Sequence, residues 1–202
     1  QPVESRFGSG VIMSRQVIGV LGASSLVGDC LLSLESAAYS NSDVEYVAFS
    51  RRSNGPDPKA DRRVTWCCLG EQGFEEDLQP IQDWICLAPI WILPDYFYLL
   101  ESCGARRVVA LSSTSRFTKS DSSDSSEQRV AARLAAGEQE LIDWAEIKGI
   151  AWVILRPTLI YGLGRDKNIS SIVALIRRCR IFPLLGTAQG LRQPIHASYV
   201  AI

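Results

Sequence analysis

Histidine is nearly missing from this chain, with His196 the single one, and that scarcity removes any metal centre built on several imidazoles. Six cysteines (Cys30, Cys67, Cys68, Cys86, Cys103 and Cys179) lie scattered through apolar stretches without the paired spacing of a zinc site. No charged-then-apolar leader precedes the first apolar run, so these thiols are expected to be reduced, in a cytoplasmic protein. An excess of charge is missing too. A formal net charge of -1 leaves no electrostatic footprint for nucleic acid or an anionic membrane. The pairs Arg51-Arg52, Arg62-Arg63, Arg106-Arg107 and Arg177-Arg178 sit at the ends of apolar runs and read as solvated edges. No apolar run can span a bilayer, since the longest candidate, Trp84 to Leu100, is broken by Pro89, Pro94 and Asp95. A soluble chain with neither membrane nor nucleic-acid partners is expected. Met13 is the sole methionine, so residues 1–12 read as an extension or tag, set apart from a domain over 13–202.

What remains is ample for a core: 202 residues, 47% of them hydrophobic. Apolar β-rich runs recur at Val17–Leu21, Val44–Phe49, Val64–Leu69, Trp84–Ala88, Arg107–Leu111 and Ala151–Leu155. Most are too uniformly apolar for a sheet with one wet face, which predicts strands covered on both sides. Helix-compatible segments alternate with them: Leu26–Ala38, a short one near Gly73–Gln82, Leu93–Cys103, Glu127–Lys148 and Ile169–Arg180. Such alternation implies right-handed crossovers and a doubly wound parallel α/β sheet. In the fourth segment Val130, Leu134, Leu141 and Ala145 form an apolar stripe, and Gly149 supplies a stop. The polar stretch Ser112 to Ser126 reads as a loop.

The junction Gly22-Ala23-Ser24-Ser25-Leu26-Val27-Gly28 carries the most chemistry. A β-branched run breaks there into small residues and then becomes amphipathic, describing a strand, a tight turn and a helix start. Small residues let the backbone approach a diphosphate, the first-turn N–H groups of the helix point at the anion, and Gly28 brings helix and strand close. The implied ligand is NADP(H) or NAD(H). Ser25 stands where a complete glycine fingerprint has its third glycine, so an ordinary strand-to-helix turn is the competing reading. About twenty residues further on, the second strand ends in Ser50-Arg51-Arg52 and not in a carboxylate; Arg51 and Arg52 are suited to a ribose 2′-phosphate, or else to a solvated strand end. At the end of the fifth strand, Leu111-Ser112-Ser113-Thr114-Ser115 places hydroxyls at the carboxyl edge of the sheet, where Thr114 or Ser113 is a candidate to hold a substrate carbonyl oxygen.

Taken in order, Gly22 to Gly28, then Leu111-Ser112-Ser113-Thr114, Arg156-Pro157-Thr158-Leu159-Ile160-Tyr161-Gly162 and Arg192-Gln193-Pro194-Ile195-His196 resemble the extended and atypical short-chain dehydrogenase/reductases, the branch holding nucleotide-sugar epimerases and dehydratases. The resemblance runs from Met13 onward. It implies a Rossmann fold, a nicotinamide cofactor contacted also by Ala88 and Pro157, a nucleotide sugar or similar small molecule as substrate, and a homodimer as an open expectation. Relatives of this kind continue for on the order of another hundred residues, so the C-terminal substrate lobe is expected to be largely missing beyond Ile202.

The departures from that pattern bear on catalysis. Active members carry Tyr-x-x-x-Lys on the helix after the Ser-Ser-Thr strand, the lysine lowering the phenol pKa. Here no tyrosine occurs between Tyr98 and Tyr161, and the helix offers Val130, Arg133, Leu134 and Glu138. Arg133 is a candidate to touch a ribose or phosphate but cannot relay protons. Tyr161 is expected to pack, Glu138 and Glu140 to face solvent or pair along the helix, and His196 to be structural. Tyr199 replaces the aspartate usual three residues after the histidine. Two classes of function stay open: hydride transfer at a sugar or small carbonyl, and a cofactor-binding sensor or assembly subunit that has lost the chemistry. A non-functional fragment is a third.

Overall fold

The structure, a computed structural model, describes residues 15–38, 43–51, 63–70, 79–166, 169–180 and 193–202. Strands β1 (Gln16–Leu21), β2 (Val44–Ser50), β3 (Val64–Cys68), β4 (Asp83–Cys86), β5 (Arg107–Leu111) and β6 (Ala151–Leu155) form one sheet in the order β3-β2-β1-β4-β5-β6. Every neighbouring pair is parallel. This is the doubly wound order in which the chain winds one way from β1 and then the other, so a crevice opens between the carboxyl ends of β1 and β4. A second, two-stranded sheet pairs β7 (Ile160–Tyr161) with β8 (Ile195–His196).

Adjacent residues on the inner strands are buried on opposite faces, as strands covered on both sides require. Leu21, Phe49, Trp84, Cys86, Val108 and Ala110 join one core with Leu99 of α2 (Phe97–Ser102) and Leu134, Leu141 and Trp144 of α4 (Ser125–Lys148). Val20, Tyr46 and Ala48 join another with Leu31 and Leu32 of α1 (Leu26–Ala38). Trp84 anchors the first: it is 1% exposed, stacks on Phe49 at 5.2 Å, and fits only because Gly19 has no Cβ, which would come within 2.7 Å of the ring. The outer strand β6 departs from the expectation. Trp152 and Ile154 face the core, whereas Val153 and Leu155 are 50% and 43% exposed, because none of the described helices lies over that face.

Helix α1 has the expected bounds, and α4 starts two residues early on an Asp124 cap whose carboxylate accepts from Ser126 N–H at 2.7 Å. It stops where Gly149 turns left-handed at φ 66°. Of the anticipated stripe, Leu134, Leu141 and Ala145 are buried, but Val130 is 36% exposed near the helix start. The helix expected over Leu93–Cys103 begins earlier, as a 3-10 helix Ile90–Tyr96 running into α2; Pro94, which has no N–H to donate, sits inside the tighter segment. Residues 115–118 of the expected loop form a short helix, α3 (Ser115–Thr118). Of the short helix expected near Gly73–Gln82, residues 73–78 lie outside the described residues, and 79–82 are not helical but lead into β4 with Ile81 fully buried. Helix α5 (Ile169–Cys179) buries none of its side chains, and α6 (Ala197–Val200) closes the chain against α1 through Ala197, Val27 and Cys30. Among the described residues no helix is long and apolar enough to cross a membrane.

Candidate functional site

The strand-to-helix corner sits at the crevice. After β1, the N–H groups of Gly22 and Ala23 donate to the Phe49 carbonyl at 3.1 and 3.2 Å, and Ser25 N–H closes back on the Gly22 carbonyl at 3.0 Å. Gly22 adopts φ +80°, and a Cβ there would stand 2.5 Å from the Ala88 nitrogen, so only glycine lets the β4 loop pass so close. Gly28 N–H donates to Ser25 Oγ at 3.1 Å, and a Cβ on Gly28 would collide with the Ala23 carbonyl group, 2.7 Å from its carbon. Those groups hold the corner together. The N–H groups of Ser24, Leu26 and Val27, by contrast, have no acceptor among the described residues. They are the open donors of a helix start, where the dipole adds positive potential.

A cleft of about 250 Å³ adjoins this corner, lined in part by Gly22, Ser24, Ser25, Ser50, Arg51, Ala88 and Arg165. Ser50, buried at the end of β2, donates its hydroxyl to Ser24 Oγ at 3.1 Å. Arg51 is exposed at the rim, and Arg52 lies outside the described residues. Arg165 was not anticipated. It follows Gly162-Leu163-Gly164, and a cation after two glycines at a strand end is the signal that would have pointed to it.

The second group of expected residues stands apart from that cleft. Thr114 N–H and hydroxyl both donate to the Pro157 carbonyl, at 3.2 and 3.4 Å, so the Thr114 hydrogen and the Pro157 oxygen are committed to each other. Ser113 Oγ accepts from Ser115 N–H at 3.1 Å, which leaves its own hydrogen for a ligand. None of Ser113, Thr114 and Pro157 lines the cleft.

Glu138 overturns its expected solvent-facing place. It is 0% exposed, and its carboxylate accepts from Ser112 Oγ, from Arg116, and from Arg156 Nε and Nη2, the latter at 2.7 Å. Burial pushes its carboxyl up, but hydrogen bonds from Arg156, Ser112 and Arg116 outweigh that and hold it below the ordinary range. Glu140 is exposed. Arg133 does not reach toward the cleft but covers Trp91, 4.5 Å from the ring centroid. On the helix that lacks the Tyr and Lys, Val130 is half-exposed and Leu134 is buried in the main core, and neither offers a titratable group. Tyr161 packs edge-on against His196 at 5.2 Å. His196 Nδ1 accepts from Ser198 N–H at 3.3 Å and caps α6, a structural position. Cys86 is no nucleophile either, since burial pushes its thiol up to about 12. No cluster of metal-ligating side chains occurs among the described residues.

This arrangement, a parallel 3-2-1-4-5-6 sheet with an open-donor corner at its switch point, is the Rossmann order of dinucleotide-binding α/β proteins. Solved structures share this fold. A UDP-N-acetylglucosamine 4-epimerase from Bacillus cereus superposes with a TM-score of 0.67 at 16% identity, over 92% of this chain and 69% of that one. A dTDP-glucose 4,6-dehydratase from Bacillus anthracis, in complex with NAD, gives 0.68 at 15%, over 92% and 69%. A short-chain dehydrogenase/reductase from Veillonella parvula, in complex with NADP, gives 0.58 at 14%, over 92% and 83%. At these identities the likeness is one of fold. No protein-family profile and no curated protein matches the chain.

Proposed function

We propose that the cleft binds a nicotinamide dinucleotide, with NADP(H) preferred over NAD(H). The observation that carries this reading is the set of acceptor-free N–H groups on Ser24, Leu26 and Val27 at the start of α1, with Ser24 itself lining the cleft. The preference rests on the end of β2, where Ser50 stands in place of a ribose-binding carboxylate and Arg51 follows it, without an ion pair among the described residues. The fold neighbours support the same ligand class, two of them having been solved with NAD or NADP.

Beyond binding, two readings compete. The chain as a non-catalytic sensor or assembly subunit is favoured by α4, which carries no tyrosine and no lysine before Lys148 at its end. Hydride transfer at a sugar or small carbonyl is supported by Ser113, whose hydroxyl hydrogen is open to hold a substrate oxygen. By analogy of fold, the substrate would be a nucleotide sugar. Free cysteines, with Cys86 fully buried, fit a cytoplasmic setting.

The test is direct. NADPH should quench the emission of the five tryptophans, while the reduced-nicotinamide absorbance stays constant when UDP-sugars are added. Steady consumption of NADPH would instead establish the hydride-transfer reading, and no quenching by either nucleotide would overturn both. Replacing Arg51 with alanine should weaken NADPH by about 1.5–3 kcal/mol, roughly 10- to 150-fold, because a charge-assisted bond to the 2′-phosphate is lost. NADH affinity should not change; an equal loss for both nucleotides would defeat the assignment.

A further inference from the structure

We propose that Arg165 is a diphosphate-binding residue, a cation brought to the strand-to-helix corner from a distant part of the chain. The inference rests on the reading that the cleft holds a dinucleotide.

The corner needs such a charge. Between Gly22 and Gly28 there is no basic side chain, and the first turn of α1 carries Asp29, whose charge opposes the anion the open amides would receive. Arg165 answers both problems. One guanidinium nitrogen pairs with the Asp29 carboxylate, and Nη2 donates to the Ser24 carbonyl at 3.1 Å, on the very residue whose N–H is open. A guanidinium has five N–H bonds, so after those two contacts three remain to meet phosphate oxygens. The side chain is 47% exposed and lines the cleft, so a ligand can reach it.

The loop that presents Arg165 is held in place. Gly162, Leu163 and Gly164 take φ values of 144°, 51° and 65°, a run of positive values that includes one non-glycine residue. Arg165 N–H donates to the Gly162 carbonyl at 3.2 Å. Asp166 then ties the loop to α5, accepting from Ser170 N–H at 2.9 Å and Ser170 Oγ at 2.6 Å. Backbone strain tolerated at a position that delivers a cation to an anion-receptive corner is the pattern of a binding loop. An ordinary surface ion pair needs no such loop.

Calorimetric titration with NADPH and with adenosine 2′-phosphate, which lacks the diphosphate, tests the inference. In Arg165→Met the NADPH dissociation constant should rise at least tenfold, while that of adenosine 2′-phosphate stays within twofold. Arg165→Lys, which keeps the charge without the planar fork, should lose less than Arg165→Met. Asp29→Asn should bind NADPH as tightly as the parent or more so, since it removes a repelling charge and releases one more guanidinium N–H. A merely structural Arg165–Asp29 pair would instead weaken both ligands together, or neither, in all three variants, and would overturn the proposal. If the unaltered protein binds adenosine 2′-phosphate and NADPH with equal strength, no diphosphate subsite exists and Arg165 loses its role. If it binds neither, the dinucleotide reading itself falls.

Discussion

Replacing Glu138 with glutamine should lower stability by about 3 kcal/mol and with it the melting temperature by roughly 6–12 °C for a domain of this size. The carboxylate is fully buried and neutralises Arg116 and Arg156, whose side chains are 29% and 32% exposed. Removing one partner of a buried charge cluster typically costs about 3–5 kcal/mol. The lower end applies here because the two guanidinium groups retain some water. A glutamine amide would also turn an N–H group toward a guanidinium, so one bond is replaced by a clash of donors. The pH dependence provides a second readout. Because the folded-state pKa of Glu138 lies below its unfolded value, its stabilisation is fully present above about pH 4.5 and is lost as pH falls through the folded value. Asp83, lowered by its hydrogen bond from Arg107, and Asp166, lowered to about 2 by Ser170, act in the same direction. The parent protein should therefore lose melting temperature steadily from pH 5 to pH 2. The Glu138→Gln variant should start lower and follow a shallower slope, and melts recorded across that range would contradict this account if the two curves ran parallel.

Glu138 also marks the boundary of what the amino-acid order discloses. A glutamate on a helix is solvated unless distant partners surround it, and Arg116 and Arg156 lie 22 and 18 residues away in the chain. Helical spacing along α4 carries no information about them. Arg165 is more extreme, since its contacts on Asp29 and Ser24 span 136 and 141 residues. Local signals behaved differently. The bounds of α1 and the stop of α4 at Gly149 were legible because a turn of small residues and a left-handed glycine act on their own neighbours. The parallel sheet was legible from uniformly apolar runs, but β6 shows the limit of that signal: Val153 and Leu155 are as apolar as their buried counterparts and yet stand half-exposed. The shift from an α-helix to a 3-10 helix over Ile90–Tyr96 was likewise hidden, since Pro94 indicates a disturbed helix without saying how the turn tightens. The turn of small residues at the corner was readable, and the approach of Arg165 to it was not.

The corner itself should prove intolerant of a single methyl group. Gly28→Ala would put a Cβ into the Ala23 carbonyl group, 2.7 Å from its carbon, and both partners are backbone, so no side-chain rotation can relieve the overlap. Either α1 moves away from the turn or the turn opens. Overpacking of this kind costs about 1–3 kcal/mol, and the upper end is expected here because the colliding atom is fixed by the Ala23 N–H bond to Phe49. The consequence for binding should exceed that for stability. The open N–H groups of Ser24, Leu26 and Val27 keep their places only while α1 starts where it does; a shift of its first turn would displace them together, and each hydrogen bond to a charged phosphate would be worth about 1.5–3 kcal/mol. NADPH affinity should thus fall by about 3 kcal/mol or more, at least 100-fold, in a protein whose circular dichroism spectrum is unchanged below its lowered melting point. Retained affinity in a folded Gly28→Ala protein would mean that the dinucleotide, if bound, is not gripped by the start of α1.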